Sequence, residues 1–225
     1  MDIALNYLEC GNGENLIMLH GNGEDNSYFE HQIEFFSNFF RVIALDTRGH
    51  GRSPRGDGEF TLDRFANDLF LFMREKGIEK ANILGFSDGA NIAILFALSH
   101  PDMVNKLVLN GGNIFPMGLK PKVLNEIISD WNRAKKNIHL KREEELLALM
   151  VKEPKLTWDD LKAIDAESLV IAGTNDMIRR KHSEKIAESI RHAKFVEIPG
   201  GHDIAYSQSW DFNKEVFDFL TQNYG

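Results

Sequence analysis

Asn82-Ile83-Leu84-Gly85-Phe86-Ser87-Asp88-Gly89-Ala90-Asn91-Ile92-Ala93-Ile94-Leu95-Phe96-Ala97-Leu98 is the stretch whose reading decides the fold. A short apolar run leads into Gly85-Phe86-Ser87-Asp88-Gly89, and a longer helix-like run leaves it. This is G-x-S-x-G between a strand and a helix, the setting in which the motif carries chemical meaning. Such a turn is tight enough to strain the backbone of its serine. Glycine two positions to either side leaves room for neighbouring backbone to pass. The hydroxyl is pushed out beyond the strand's carboxyl end, where the positive end of the following helix also points.

A serine hydroxyl is a weak nucleophile near neutral pH. It needs a base within hydrogen-bond reach, and the base needs a partner that fixes its tautomer and stabilises its charged form. The expected chain order is serine, then a carboxylate, then histidine. Leu169-Val170-Ile171-Ala172-Gly173 reads as a buried strand, with Thr174-Asn175-Asp176 just past its end. Phe195-Val196-Glu197-Ile198 reads as another, followed by Pro199-Gly200-Gly201-His202. Ser87, Asp176 and His202 are the candidates for the three roles. Asp176 could instead cap a helix beginning near Arg179, and Asp203 sits beside His202, though adjacent loop residues rarely turn back onto the ring.

An oxyanion needs two preorganised N–H donors. One falls on the residue after the nucleophile, Asp88; the other belongs to a loop after an earlier strand. Asn15-Leu16-Ile17-Met18-Leu19 is that strand and His20-Gly21-Asn22-Gly23 that loop, so the backbone amides of Asn22 and Asp88 are the expected pair. The two glycines also invite a phosphate-binding reading. However, no Lys-Ser or Lys-Thr follows, and the spacing fits neither a P-loop nor a dinucleotide fingerprint.

Together these elements are similar to the α/β-hydrolase superfamily, in its single-domain branch, over nearly the whole chain. Asp46-Thr47-Arg48-Gly49-His50-Gly51-Arg52-Ser53 resembles that branch's D-x-R-G-H-G-x-S loop. The arginine there implies a structural role for Arg48. The resemblance is specific for fold and weakly specific for substrate.

Length and composition agree. A chain of 225 residues suits one domain, 1–225, with a substantial core. Hydrophobic residues at 43% and charged residues at 27% are ordinary for a soluble protein. A net charge of −8 argues against nucleic acid and anionic membrane as partners and reads most plainly as solubility; the partner that the resemblance implies is a small-molecule substrate. The single cysteine, Cys10, excludes an internal disulfide and suits a reducing, cytoplasmic compartment. No secretory signal is visible and no apolar run is long enough for a membrane span. No Cys/His cluster has metal-ligand spacing, so there is no case for zinc, and no metal or cofactor is expected.

Strands alternate with longer amphipathic segments, which predicts an α/β architecture. Its mostly parallel, twisted sheet of about seven to eight strands carries helices on both faces. Strands are expected at Ile3–Leu8 (an antiparallel edge), Leu16–Leu19, Arg41–Leu45, Asn82–Leu84, Lys106–Leu109, Leu169–Ala172 and Lys194–Ile198. Helices are expected near Tyr28–Phe39, from Leu62 with Thr61 as N-cap, near Lys181–Ser189, and from about Trp210 to Asn223. The alternation breaks over about 115–162, where Lys120–Lys136, Lys141–Val151 and a short Trp158–Ile164 read as helices. The resemblance makes this insertion a small helical cap over the site. Phe86, Phe115, Met117, Trp131, Met177 and Tyr206 are the expected pocket lining, with His50 and Asn22 nearby.

The implied activity is serine hydrolysis of an ester or related acyl bond, carboxylic ester first, then thioester, amide and carbon–carbon bonds. Dehalogenase and epoxide hydrolase chemistry use a carboxylate nucleophile where this chain has Ser87. Aminopeptidase relatives usually carry a larger cap with acidic residues for the substrate amine; Glu126 and Asp130 are the candidates for that role in this short one. Two alternatives come from other classes: a cofactor-free lyase or oxygenase-type enzyme, and a non-catalytic small-ligand receptor. Fold alone does not choose between them.

Overall fold

Seven strands make one sheet: β1 (Tyr7–Cys10), β2 (Asn15–Leu19), β3 (Arg41–Leu45), β4 (Ala81–Phe86), β5 (Val104–Asn110), β6 (Glu167–Gly173) and β7 (Ala193–Ile198). Their order is β1-β3-β2-β4-β5-β6-β7, and every pairing is parallel except β1 with β3. The computed structural model describes residues 2–222.

Period-2 alternation sorts the central strands onto two cores. Ile17, Leu19, Ile43, Leu45, Ile83, Leu107 and Leu109 face one cluster. Leu16, Met18, Val42, Ala44, Leu84 and Val108 face the other. Continuous apolar runs are what a parallel sheet covered on both faces requires. The first face is covered by α2 (Leu62–Glu75), α3 (Asp88–Ser99) and α6 (Arg180–Ser189). The second is covered by α1 (Glu30–Phe36) and α8 (Ser209–Thr221). Thr61 caps α2 as expected, its hydroxyl accepting from Arg64 N at 3.1 Å. Helix α3 is buried nearly all round, which fits its almost wholly apolar sequence.

The edge strand differs from expectation. It begins at Tyr7 rather than Ile3, with Tyr7 opposite Leu45 and Cys10 opposite Val42. Ile3 and Leu5 are buried in the core without joining the ladder. Asn6 explains the break. Its N–H donates to Ser53 Oγ and its side chain to Asp46 Oδ2, so the preceding chain is stapled to the 46–53 loop. The first helix is also shorter than expected: a 3₁₀ turn, Asn26–Phe29, leads into α1, which stops at Phe36. Asn38 then folds its side chain back onto the carbonyls of Glu34 and Phe35.

The insertion forms α4 (Pro121–Ala134), α5 (Lys141–Lys152) and a 3₁₀ turn, Asp160–Ala163, where a third helix was expected. Leu119, Ile127 and Ile178 form its own small core, with Val123, Leu124, Leu147, Met150, Val151 and Met177 against them. A four-residue helix, α7 (Ile204–Ser207), precedes α8. The last helix ends at Thr221, and Asn223, its expected end, lies outside the described residues. Among the described residues no helix is long and apolar enough to cross a membrane.

Candidate active site

Strand β4 delivers Ser87 into a turn with φ 53° and ψ −119°, the one non-glycine residue at positive φ among those described. Such a conformation costs on the order of 1–3 kcal/mol and persists only where the surroundings hold it. The surroundings are specific. Ser87 N donates to Asn110 O at 2.8 Å, and Ser87 O accepts from Ala90 N and Asn91 N at 2.9 and 3.1 Å. The flanking glycines are sterically required. A Cβ on Gly85 would lie 2.3 Å from Gly89 O, and one on Gly89 would lie 1.9 Å from Leu19 O.

His202 Nε2 lies 3.0 Å from Ser87 Oγ, and His202 Nδ1 lies 2.7 Å from Asp176 Oδ1. An ionised carboxylate can only accept, so the Nδ1 proton points to Asp176. The Nε2 lone pair is then free to accept from the serine hydroxyl. The side chains of Asp176 and His202 are 3% and 15% exposed, so the imidazole meets solvent while the carboxylate does not. Asp176 is further held by Ile178 N at 2.9 Å, in an Asx-type turn. It does not cap α6, whose N-cap is Arg179 with no side-chain bond.

Gly111, just past β5, was missed by sequence reasoning. With φ 63°, it packs so tightly beneath the pair that a Cβ there would sit 2.7 Å from His202 Cε1 and 3.4 Å from Asp176 Oδ2. The Gly111-Gly112 doublet at the end of a predicted strand was its only signal. The imidazole also meets the Phe86 ring, centroids 4.8 Å apart, and Phe86 stacks in turn on Tyr28 at 4.4 Å.

The loop after β2 is anchored from below. His20 Nδ1–H donates to Gly21 O at 2.7 Å and its Nε2 accepts from Thr47 N at 3.0 Å. Asn22 lies beside the Ser87 turn, its side chain donating to Asp88 Oδ2 at 2.8 Å. Glu24 Oε2 accepts from Gly21 N at 3.1 Å. Burial raises the Glu24 carboxyl to about 7, and burial also raises that of Asp88.

The remaining expected lining residues scatter. Met177 joins the cap's core. Phe115 packs on Trp158 and His182 at 5.4 and 4.8 Å, while Trp131 lies under the ammonium groups of Lys135 and Lys152. Tyr206 is half exposed against His31 and Tyr28, and Met117 is 67% exposed. His50 is buried against His20 and Phe65 and serves packing. A hollow of about 650 Å³ between Lys80, Asn105, Asp165 and Glu167 lies at the amino ends of the strands, opposite Ser87. Ligands of open α/β sheets bind at the other end, so its volume does not identify the site.

Burial keeps His50 and His182 neutral, lowering each to about 4; a neighbouring histidine, His20, adds to this at His50, and Arg179 adds at His182. His182 Nε2 accepts from Ile114 N at 3.1 Å and cannot do so once protonated. An unfolded histidine binds its proton near 6.5, so between about 4 and 6.5 the unfolded chain holds more protons. This contribution is complete above pH 6.5 and is lost as pH falls towards 4. Gln at 182 keeps an acceptor that does not titrate. Urea unfolding of His182→Gln should therefore show a shallower loss of stability from pH 6.5 to 4.5 than wild type. Parallel curves would show that His182 does not titrate in this way.

A parallel sheet bearing a strained serine, a histidine and a buried aspartate at the carboxyl ends of β4, β7 and β6 defines the α/β-hydrolase class of protein. The chain belongs to that family: the model of the alpha/beta hydrolase fold matches residues 14–159. Human serine hydrolase BPHL is 26% identical, covering 97% of this chain and 83% of its own. The 2-hydroxy-6-oxononadienedioate/2-hydroxy-6-oxononatrienedioate hydrolase 1 of Pseudomonas putida is 29% identical, covering 98% and 93%. Among solved structures, MGS-M2, an alpha/beta hydrolase enzyme from a Medee basin deep-sea metagenome library, aligns with a TM-score of 0.85 at 21% identity. That alignment covers 100% of this chain and 97% of that one, a likeness of fold. All three relatives carry the name of a hydrolase, and hydrolase is the class to which this chain belongs.

Proposed function

We propose that the chain is a serine hydrolase that cleaves an ester or related acyl bond of a small molecule through an acyl-enzyme. The observation that carries this reading is the pair of bonds from Ser87 Oγ to His202 and from His202 to Asp176. Ser87 Oγ attacks the carbonyl carbon while its proton passes to His202 Nε2. Asp176 stays ionised and stabilises the imidazolium. The amides of Asn22 and Asp88 take the oxyanion. Collapse expels the leaving group, which receives the proton from His202. Water then attacks the acyl-enzyme with His202 as base, releasing the acid and restoring Ser87.

A second reading, hydrolysis of a carbon–carbon bond in a 2-hydroxy-6-oxo dienoate, is favoured by the name of the Pseudomonas putida relative. Labelling with a fluorophosphonate probe tests the first. Wild type should label at one site, Ser87, and turn over short-chain aryl esters. A folded protein that neither labels nor cleaves esters overturns it. Cleavage of the dienoate with esters untouched selects the second.

A further inference from the structure

A continuous polar ladder runs beneath the nucleophile and ends in the cap on both sides. At one end the Asn22 carboxamide donates to Leu146 O of α5 at 3.0 Å and to Asp88 Oδ2 at 2.8 Å. Asp88 Oδ1 accepts from Asn91 Nδ2 at 3.2 Å. The same Asn91 group reaches Asn113 Oδ1 at 3.2 Å, and Asn91 Oδ1 accepts from Asn113 N at 2.8 Å. Asn113 Nδ2 closes the ladder on Phe115 O, where the insertion begins, at 3.0 Å. Asp88, Asn91 and Asn113 are all buried. A buried carboxylate must be satisfied by donors, and these amides are its donors.

We propose that the Asn22 side chain is a positioning residue. It holds its own backbone amide in register with the amide of Asp88 and ties that register to the seating of cap helix α5. The inference rests on the serine-hydrolase reading. Asn22 links three parts: the loop that carries one proposed oxyanion donor, the turn that carries the other, and the cap. Loss of the carboxamide leaves both amides present but frees the loop from the turn and α5 from the loop. Cap displacement and loss of the oxyanion site therefore become one event. Asp88 acts through the same bond, and an amide oxygen at that position can replace Oδ2 as the acceptor from Asn22, at the cost of the Asn91 bond to Oδ1.

The test compares Asn22→Ala, Asp88→Asn and Asp88→Ala with wild type, using aryl-ester kinetics, fluorophosphonate labelling and hydrogen exchange. Outright removal of an oxyanion donor in other enzymes costs about 10²–10³ in kcat. Displacing one by losing its tether should cost less, about 10- to 100-fold in kcat, with KM changed less than about threefold. Asn22→Ala and Asp88→Ala should behave alike, and Asp88→Asn should retain most of the rate. Amides of Leu147–Met150 in α5 should exchange faster in Asn22→Ala. A folded Asn22→Ala with kcat within twofold of wild type, or with unchanged exchange in α5, overturns the inference while Ser87 labelling preserves the hydrolase reading. A wild type that never labels and never turns over overturns both.

Discussion

Ser87→Ala should lower kcat/KM on an activated ester by about 10⁴- to 10⁶-fold, with a thermal midpoint close to wild type. The size follows from what is removed. Without Oγ there is no bond for the acyl group to form, and His202 is left as a base with no proton to take. What remains is the oxyanion site and substrate binding, which in other triads sustain only the residual rate. Ser87→Gly separates chemistry from strain. Both variants lose the nucleophile, but only glycine accepts φ 53° without penalty. Ser87→Gly should therefore be as inactive as Ser87→Ala and more stable than either wild type or Ser87→Ala, by about 1 kcal/mol in urea unfolding. Activity of Ser87→Ala within tenfold of wild type would refute the nucleophile assignment. Equal stability of the alanine and glycine variants would show that the turn's strain is relieved elsewhere. Asp176→Asn gives the intermediate case. An amide in place of the carboxylate no longer fixes the Nδ1–H tautomer of His202, and a loss of about 10⁴ is expected.

Sequence reasoning reached the residues whose identity is dictated by chemistry and missed those dictated by shape. Ser87, His202 and Asp176 stand at strand ends in a fixed order, so pattern and position pointed to one arrangement before any coordinates, and the structure brings their side chains within hydrogen-bond distance. Periodicity located the central strands most firmly, because a sheet covered on both faces leaves a nearly continuous apolar run at each of them. It misplaced the start of β1 because Ile3 and Leu5 alternate like strand residues while being buried off the ladder's end. Gly111 could not be weighed, since its importance lies in a contact with His202, which is distant in the chain. The polar ladder was equally hidden: Asn22, Asp88, Asn91 and Asn113 meet only through the packing of the loops after β2 and β5 against helix α3. Expected lining residues failed to gather for a related reason. Aromatic and methionine side chains in a cap serve its own small core as readily as a ligand, and composition does not say which way Phe115 or Trp131 turns.

Asp68→Ala should destabilise the fold by about 3–5 kcal/mol in urea unfolding, one of the largest losses available outside the hydrophobic core. Arg48 is 2% exposed and Asp68 3%, and the two meet in a bidentate pair, Nε to Oδ2 and Nη2 to Oδ1, each at 2.7 Å. The other carboxylate on the guanidinium is Asp2, at 2.6 and 2.9 Å, whose side chain is 41% exposed. Removing Asp68 leaves a buried guanidinium facing a cavity, with only an exposed, N-terminal partner to offset its charge. Removing Asp2 instead lets water take its place, so Asp2→Ala should cost much less. The asymmetry discriminates desolvation from simple loss of attraction. If the pair stabilised by Coulomb attraction alone, both deletions would weigh similarly. Replacing both partners by apolar residues, Arg48→Met with Asp68→Leu, should recover much of the Asp68→Ala loss, because neither charge then needs satisfying. A double variant as unstable as Asp68→Ala would mean that Arg48 is retained for its hydrogen bond to Arg55 O, just past the 46–53 loop, at 3.3 Å. In that case activity should fall with stability, since Thr47 of the same loop holds His20 under the amide of Asn22.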